Sequence, residues 1–202
     1  MTAAKPQPRF RRIAAEERRS LLIEAGLACL ARGGILAFTI DNICAEAAVS
    51  RGLITHHFKS KDGLLAAIYE RMIGRLLAVV DAPEPGIDHI SAIIDAAFAN
   101  DAANRDGLRI WLALWGEIAN NPALLKAHRR QYARYRGGIE AALHKLAVER
   151  RRDVDIGFVA MMFISLVDGL WLEWCIDPRQ ISARNAKAAC AKLLEPFFGE
   201  LA

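Results

Sequence analysis

The sequence predicts an all-α protein, a small helical head carried on a larger helical body. Three observations support that class. No stretch keeps the strict apolar–polar alternation of a half-buried strand, whereas apolar residues recur three and four apart along nearly all of the 202 residues. Capping residues stand in front of the apolar runs, at Thr39, Ser60, Asn121 and Ser182. Helix breakers fall between the runs: Gly33 and Gly34, then Pro83, Pro85 and Gly86, then Pro178.

Residues 1–12 carry Lys5, Arg9, Arg11 and Arg12 and are expected to form a flexible basic arm. A first helix is predicted over 13–31, with Leu22, Ala25, Cys29 and Leu30 on its apolar stripe and the glycine pair as its stop. Thr39 caps a short helix over 40–47. A turn of Ala48, Val49 and Ser50 then leads into a second short helix over 51–57. Ser60 caps a longer helix, 61–80, and residues 81–86 are a linker that two prolines and a glycine keep out of helix. Five further helices are predicted near 88–101, 105–119, 122–150, 155–176 and 182–198. Asn121 and Pro122 form a cap-and-first-turn pair at the start of the third of these. The division expected from this pattern is an arm (1–12), a helix-turn-helix head (13–60), a connecting helix (61–80) and a body (81–202).

Composition narrows the function classes. With 53% hydrophobic residues the chain can fill a sizeable core and a subunit interface. The charge-free run 156–167 is too short to span a bilayer, and the first ten residues hold no apolar signal core, so a cytoplasmic protein without a membrane partner is expected. Cys29, Cys44, Cys175 and Cys190 are widely spaced and form neither a metal motif nor a disulfide framework. The five histidines make no HExxH pair, and no phosphate-binding glycine loop or nucleophile elbow is present. Neither catalytic residues, a metal nor a cofactor is therefore expected. Charge is uneven: residues 1–80 hold twelve Lys and Arg against seven Asp and Glu, and the remainder fifteen against sixteen. A basic head on a near-neutral body suits a polyanionic partner.

Residues 39–58 specify that partner. Ile40, Ile43 and Ala47 are expected to face inward from the first short helix, Ile54 and Phe58 from the second, with Val49 in the turn and Cys44 as the small residue at the crossing. Arg51, Gly52, Thr55 and His56 then lie outward. Arginine can pair with guanine O6 and N7, threonine offers a hydroxyl and a methyl, and glycine lets the backbone approach the base edges. Thr39, His57 and Lys61 sit at helix ends suited to phosphates.

Thr39 and Ile43, the turn from Ala47 to Ser50, and the run from Leu53 through Phe58 and Lys61 to Leu64 and Leu65 resemble the TetR-family DNA-binding domain over about residues 12–80. The resemblance implies base contacts from Arg51, Gly52, Leu53 and Thr55, and phosphate contacts from Thr39, His56, His57 and Lys61. It also implies a homodimer paired through the last two helices, a double-stranded operator, and repression relieved by a small effector that tilts the connecting helix. The turn position held by glycine in that family is Ala48 here, at a cost of about 1 kcal/mol if the residue is left-handed.

In the body, Trp111 and Trp115 lie four apart, with Glu117 beside them; Asp168, Trp171 and Trp174 form a second group. Indoles with carboxylates can box a quaternary ammonium ion, and the same spacing also suits plain core. The two tryptophan motifs, with the run from Ser50 to His56, resemble the BetI-type branch, repressors of the choline-to-glycine-betaine pathway. That resemblance implies choline or betaine aldehyde as effector, bound by those six residues.

Overall fold

A computed structural model describes residues 9–81, 89–99, 104–177 and 179–200. All the regular elements among them are helices: α1 (Arg9–Ala37), α2 (Ile40–Ala47), α3 (Gly52–Phe58), α4 (Lys61–Asp81), α5 (His89–Ala97), α6 (Asn104–Ile118), α7 (Pro122–Glu149), α8 (Ile156–Ile176) and α9 (Ala183–Phe198). The predicted linker falls almost wholly on residues 82–88, and most of the predicted arm on residues 1–8, both outside the described residues.

The chain divides into two compact units, Met1–Tyr69 with Arg109–Leu125, and Glu70–Leu108 with Lys126–Ala202. The division thus falls inside α4, α6 and α7, whereas the division read from sequence follows the linker. In the first unit Leu22, Leu30, Phe38, Ile43, Ile54, Leu64 and Ile68 are fully buried. The core of the second joins Phe98 to Ile139, Leu143, Phe163, Cys190 and Phe198, where α8 packs on α9 and α5 packs on both.

Local chemistry explains the boundaries. α1 begins at Arg9, so the last four residues of the expected arm are helical; no glycine or proline follows Pro8 until Gly26. Gly33 and Gly34 do break it: both leave helical geometry, and Gly34 has φ 61°. The break strands carbonyls at the end of the first segment, and Arg109 of α6 donates to one of them, Ala31, at 3.3 Å. Asn121 caps α7, its Oδ1 accepting from the Leu124 N–H at 3.0 Å. Asp155 caps α8 and Ser182 caps α9 in the same manner.

α8 runs beyond the charge-free stretch 156–167. The helix continues through Asp168 for 21 residues with mean hydropathy 1.7, so by length and composition it could cross a membrane, as could residues Ala15–Ala37. The sequence reading counted only the charge-free part, and a helix does not end where a carboxylate enters it. Within one protomer one stripe of this apolar helix is uncovered, with Phe158, Met161 and Ile176 52%, 51% and 58% exposed.

Candidate functional site

The helix-turn-helix in the first unit is built by three local devices. Thr39 is extended and its hydroxyl accepts from the Asn42 N–H at 3.2 Å, which starts α2. Asn42 in turn donates from Nδ2 to the Ala37 carbonyl at 3.0 Å and ties α2 to the end of α1. Ala48 then ends α2 in the left-handed conformation, φ 52° and ψ 45°. Chain reversal there lets the Val49 N–H reach the Cys44 carbonyl at 3.0 Å.

A residue with a Cβ pays for that conformation, so Ala48→Gly is expected to stabilise the head. Relief of about 1–2 kcal/mol of steric cost, less glycine's extra chain entropy, leaves roughly 1 kcal/mol. A thermal melt should move up by about 2–4 °C; an unchanged or lower midpoint would show that Ala48 is unstrained.

Ile43, Ala47, Ile54 and Phe58 are buried as expected, Cys44 is buried at the crossing, and Val49 is half-buried in the turn. Ile40 departs from the expectation. It is the first residue of α2, and at 38% exposure it looks outward, because a first-turn side chain has no preceding turn to lie on.

The outward side of α3 presents Gly52, Thr55 and His56 to solvent, with Leu53 half-buried at its edge. A Cβ on Gly52 would meet nothing within 4 Å, so its lack of side chain serves no internal packing need. Arg51 is not on the regular helix; it is the residue before it, and its guanidinium turns back to Asp41 in the first turn of α2, 2.5 Å away. Sequence reasoning missed Asp41, since an acid in the first turn of a helix reads as a partner for the helix dipole.

Thr39 is exposed, and Lys61 is half-buried at the first position of α4. His56 and His57 stand edge to face, centroids 4.9 Å apart. Burial holds the His57 imidazole below its usual pKa, with His56, Arg18 and Arg19 adding positive charge on the same side. Arg19 also lies over the Phe58 ring, 5.2 Å from its centroid. The candidate DNA face therefore includes cations from α1 that the motif alone does not contain.

The two tryptophan groups belong to different units. In the first, Trp111 meets Tyr69 edge-on with centroids 5.7 Å apart, and Trp115 lies 5.7 Å from Trp111. Both indoles and Glu117 are half-buried. In the second, Trp174 is core, 6.2 Å from the Phe98 ring, and Trp171 is half-buried. Asp168 is exposed on α8, and partial desolvation by the neighbouring protein pushes its carboxyl up to about 6. Its negative charge is felt by Tyr135 of α7. The Tyr135 hydroxyl is buried and finds no hydrogen-bond partner among the described residues. Tyr135 was also missed; nothing within α7 distinguishes it from an ordinary core tyrosine. Among the described residues no group of His, Cys, Asp and Glu could hold a metal ion.

Comparison with known proteins gives matches over both parts of the chain. Residues 22–68 match the family of bacterial regulatory proteins named for tetR, and residues 86–199 match the C-terminal domain of BetI-type transcriptional repressors. The HTH-type transcriptional regulator BetI 2 of Chromohalobacter salexigens is 30% identical over 180 residues, covering 84% of this chain and 83% of that protein. The regulator BetI of Ectopseudomonas mendocina is likewise 30% identical, covering 84% of this chain and 88% of that one. A transcriptional regulator of Pseudomonas aeruginosa PAO1 superimposes with a TM-score of 0.79 at 36% identity, over 93% of each chain. A regulator of Saccharomonospora viridis, crystallised in complex with choline, shares the fold with a TM-score of 0.73 at 22% identity, over 89% of this chain and 96% of that one.

Proposed function

The chain belongs to the tetR family of bacterial regulators, with a BetI-type C-terminal domain, and on that premise we propose that its effector is a quaternary ammonium compound of the choline pathway. It is a DNA-binding transcriptional repressor and not an enzyme, and proteins of this family dimerise on double-stranded operators and answer to small molecules. The finer assignments are ours. Arg51, Gly52, Leu53 and Thr55 read bases, and Thr39, His56, His57 and Lys61 hold phosphates. Asp168 and Trp171 of the second unit serve the effector, Trp111, Trp115 and Glu117 form a separate aromatic patch in the first, and Trp174, expected from sequence to serve the effector, is core against Phe98. Residues 13–60 are the reading head, 61–80 the connecting helix, and 81–202 the effector and dimer domain.

The observation that carries the choline reading is the match of residues 86–199 to the C-terminal domain of BetI-type repressors. Within it Asp168, on the outer face of α8 beside Trp171, supplies a carboxylate, and a cation without N–H donors would relieve the cost that its surroundings place on the ionised form. The protonated state is favoured in the folded chain, so this group's contribution to stability is full at low pH and is lost as pH rises through about 6. Bound cation would restore it. Choline should therefore quench or shift tryptophan fluorescence at pH 7.5 and raise the melting temperature there more than at pH 5. A flat fluorescence response up to millimolar choline would sink the assignment.

We assign the dimer interface to α8 and α9 of two copies. The uncovered stripe of Phe158, Met161 and Ile176 supports this, since a soluble helix that apolar needs a cover and a second copy offers the same stripe. Met161→Glu is expected to halve the mass seen by light scattering while leaving the helical circular dichroism intact. Retention of the dimer would move the interface elsewhere.

A further inference from the structure

We propose that Arg18 and Arg19 of α1 join His57 of α3 in a site for a DNA backbone phosphate, and that this site takes up a proton as it closes on the duplex. The proposal rests on the reading of His57 as a phosphate contact. Arg19 is anchored beside it: its guanidinium lies 5.2 Å from the centroid of the Phe58 ring, the residue after His57, and Phe58 is buried. Stacking uses the flat face of the guanidinium and leaves its N–H edge free to donate. Arg18 is exposed, and Arg19 and His57 are half-buried. Four groups that can carry positive charge, Arg18, Arg19, His56 and His57, thus gather where α1 passes α3, and the carboxylate that acts on His57 there is Glu16. Elsewhere in the head Arg32 holds Glu46 and Arg51 holds Asp41, whereas among the described residues no carboxylate stands within ion-pair distance of Arg18 or Arg19.

Such a cluster repels itself until an anion enters it. A phosphodiester brings one negative charge and only accepts hydrogen bonds, which matches guanidinium and imidazole N–H groups that only donate. In the free chain burial, His56 and the two arginines keep the His57 imidazole below its usual pKa, with Glu16 opposing them. A phosphate among the same groups supplies the missing negative charge and favours the imidazolium. His57 then holds its proton to higher pH when bound than when free. Its contribution to affinity is full below the free midpoint, which lies under the ordinary imidazole value, and is lost as pH rises through the bound one. A merely solvated basic face on α1 would add no such linkage and no phosphate contact.

The test uses the full chain on a random-sequence duplex, since phosphate contacts carry no sequence. The slope of log K against log salt is measured at pH 6 and pH 8. Changing Arg18 and Arg19 together to Gln is expected to lower that slope by about one unit or more per head at both pH values, whereas changing both to Lys keeps it. Arg75→Gln, at an exposed position of α4 with no DNA assignment, should leave it unchanged. Arg18→Gln alone should give a drop of the same sign if Arg19 is needed for folding. Between pH 6 and pH 8 the wild type should lose about three- to tenfold more affinity per head than His57→Gln, tenfold being the limit for one proton over one pH unit. The double Gln variant should also move the His57 imidazole resonance of the free chain to a higher midpoint. A wild-type slope in both Gln variants, with Lys61→Ala still lowering it, overturns the α1 site and leaves the head reading standing. Equal pH dependence in wild type and His57→Gln overturns the proton uptake. If neither Lys61→Ala nor His57→Gln weakens binding at pH 6, the phosphate reading of the head falls and the proposal falls with it.

Discussion

Gly63→Ala is expected to unfold the head at temperatures the native chain withstands, at a cost of about 3 kcal/mol. A methyl group at position 63 would stand 2.1 Å from the Phe58 carbonyl oxygen and 3.2 Å from its carbon. Both are backbone atoms, so no rotamer change relieves the overlap, and the turn between α3 and α4 must open. That turn is held at both ends: Phe58 is buried in the core, and the Gly63 N–H donates to the capping Ser60 Oγ at 3.0 Å. Opening it pulls α3 off its seat, so operator binding should be lost together with the melting midpoint. Gly74→Ala, farther along α4, is the control. A Cβ there meets nothing within 4 Å, and alanine is the better helix former by up to about 1 kcal/mol. A Gly63→Ala protein that melts with the wild type would mean that the α3–α4 turn is adaptable and not fixed.

Arg51→Ala should leave the protein folded and bound to DNA but indifferent at one base pair. A bidentate arginine–guanine pair carries about 1–3 kcal/mol of discrimination, so the affinity gap at that position should shrink by roughly one to two orders of magnitude. Lys61→Ala should behave differently. It should weaken binding by a similar factor on every duplex and reduce the dependence of log K on log salt by about one unit. Measuring both variants on an operator and on its single-base changes separates a reader from an anchor. Sequence-independent losses from Arg51→Ala would reassign it to the backbone.

What could be read from the sequence was what local chemistry determines. α2 runs over the residues expected of it, because a threonine cap and a reversing Ala48 fix its ends within a few residues of chain. The starts of α4, α7 and α9 were legible for the same reason, through Ser60, Asn121 and Ser182. Even the strain at Ala48 could be anticipated, since the turn needs a left-handed residue whichever side chain occupies it. Contacts between elements were not legible. The Arg51–Asp41 pair, the arginines of α1 beside His57 and the orphan hydroxyl of Tyr135 depend on which faces meet, and no periodicity encodes that. The tryptophan groups were legible as aromatic clusters only. Trp174 proves to be packed core against Phe98, whereas Trp111 joins Tyr69 and Trp115 in a half-open aromatic patch.

The uncovered stripe on α8 bears on how operator occupancy responds to the amount of protein. If Phe158, Met161 and Ile176 must be covered by a second copy, a lone chain is both unable to grip a two-fold operator and exposed to proteolysis and misassociation. Below the concentration at which chains pair, operator occupancy then rises with the square of the amount of protein. Halving the dosage in that range costs about three-quarters of the repression, as mass action requires. With the interface assigned to α8, the steepness of that response would be set by an apolar helix far in sequence from the residues assigned to DNA.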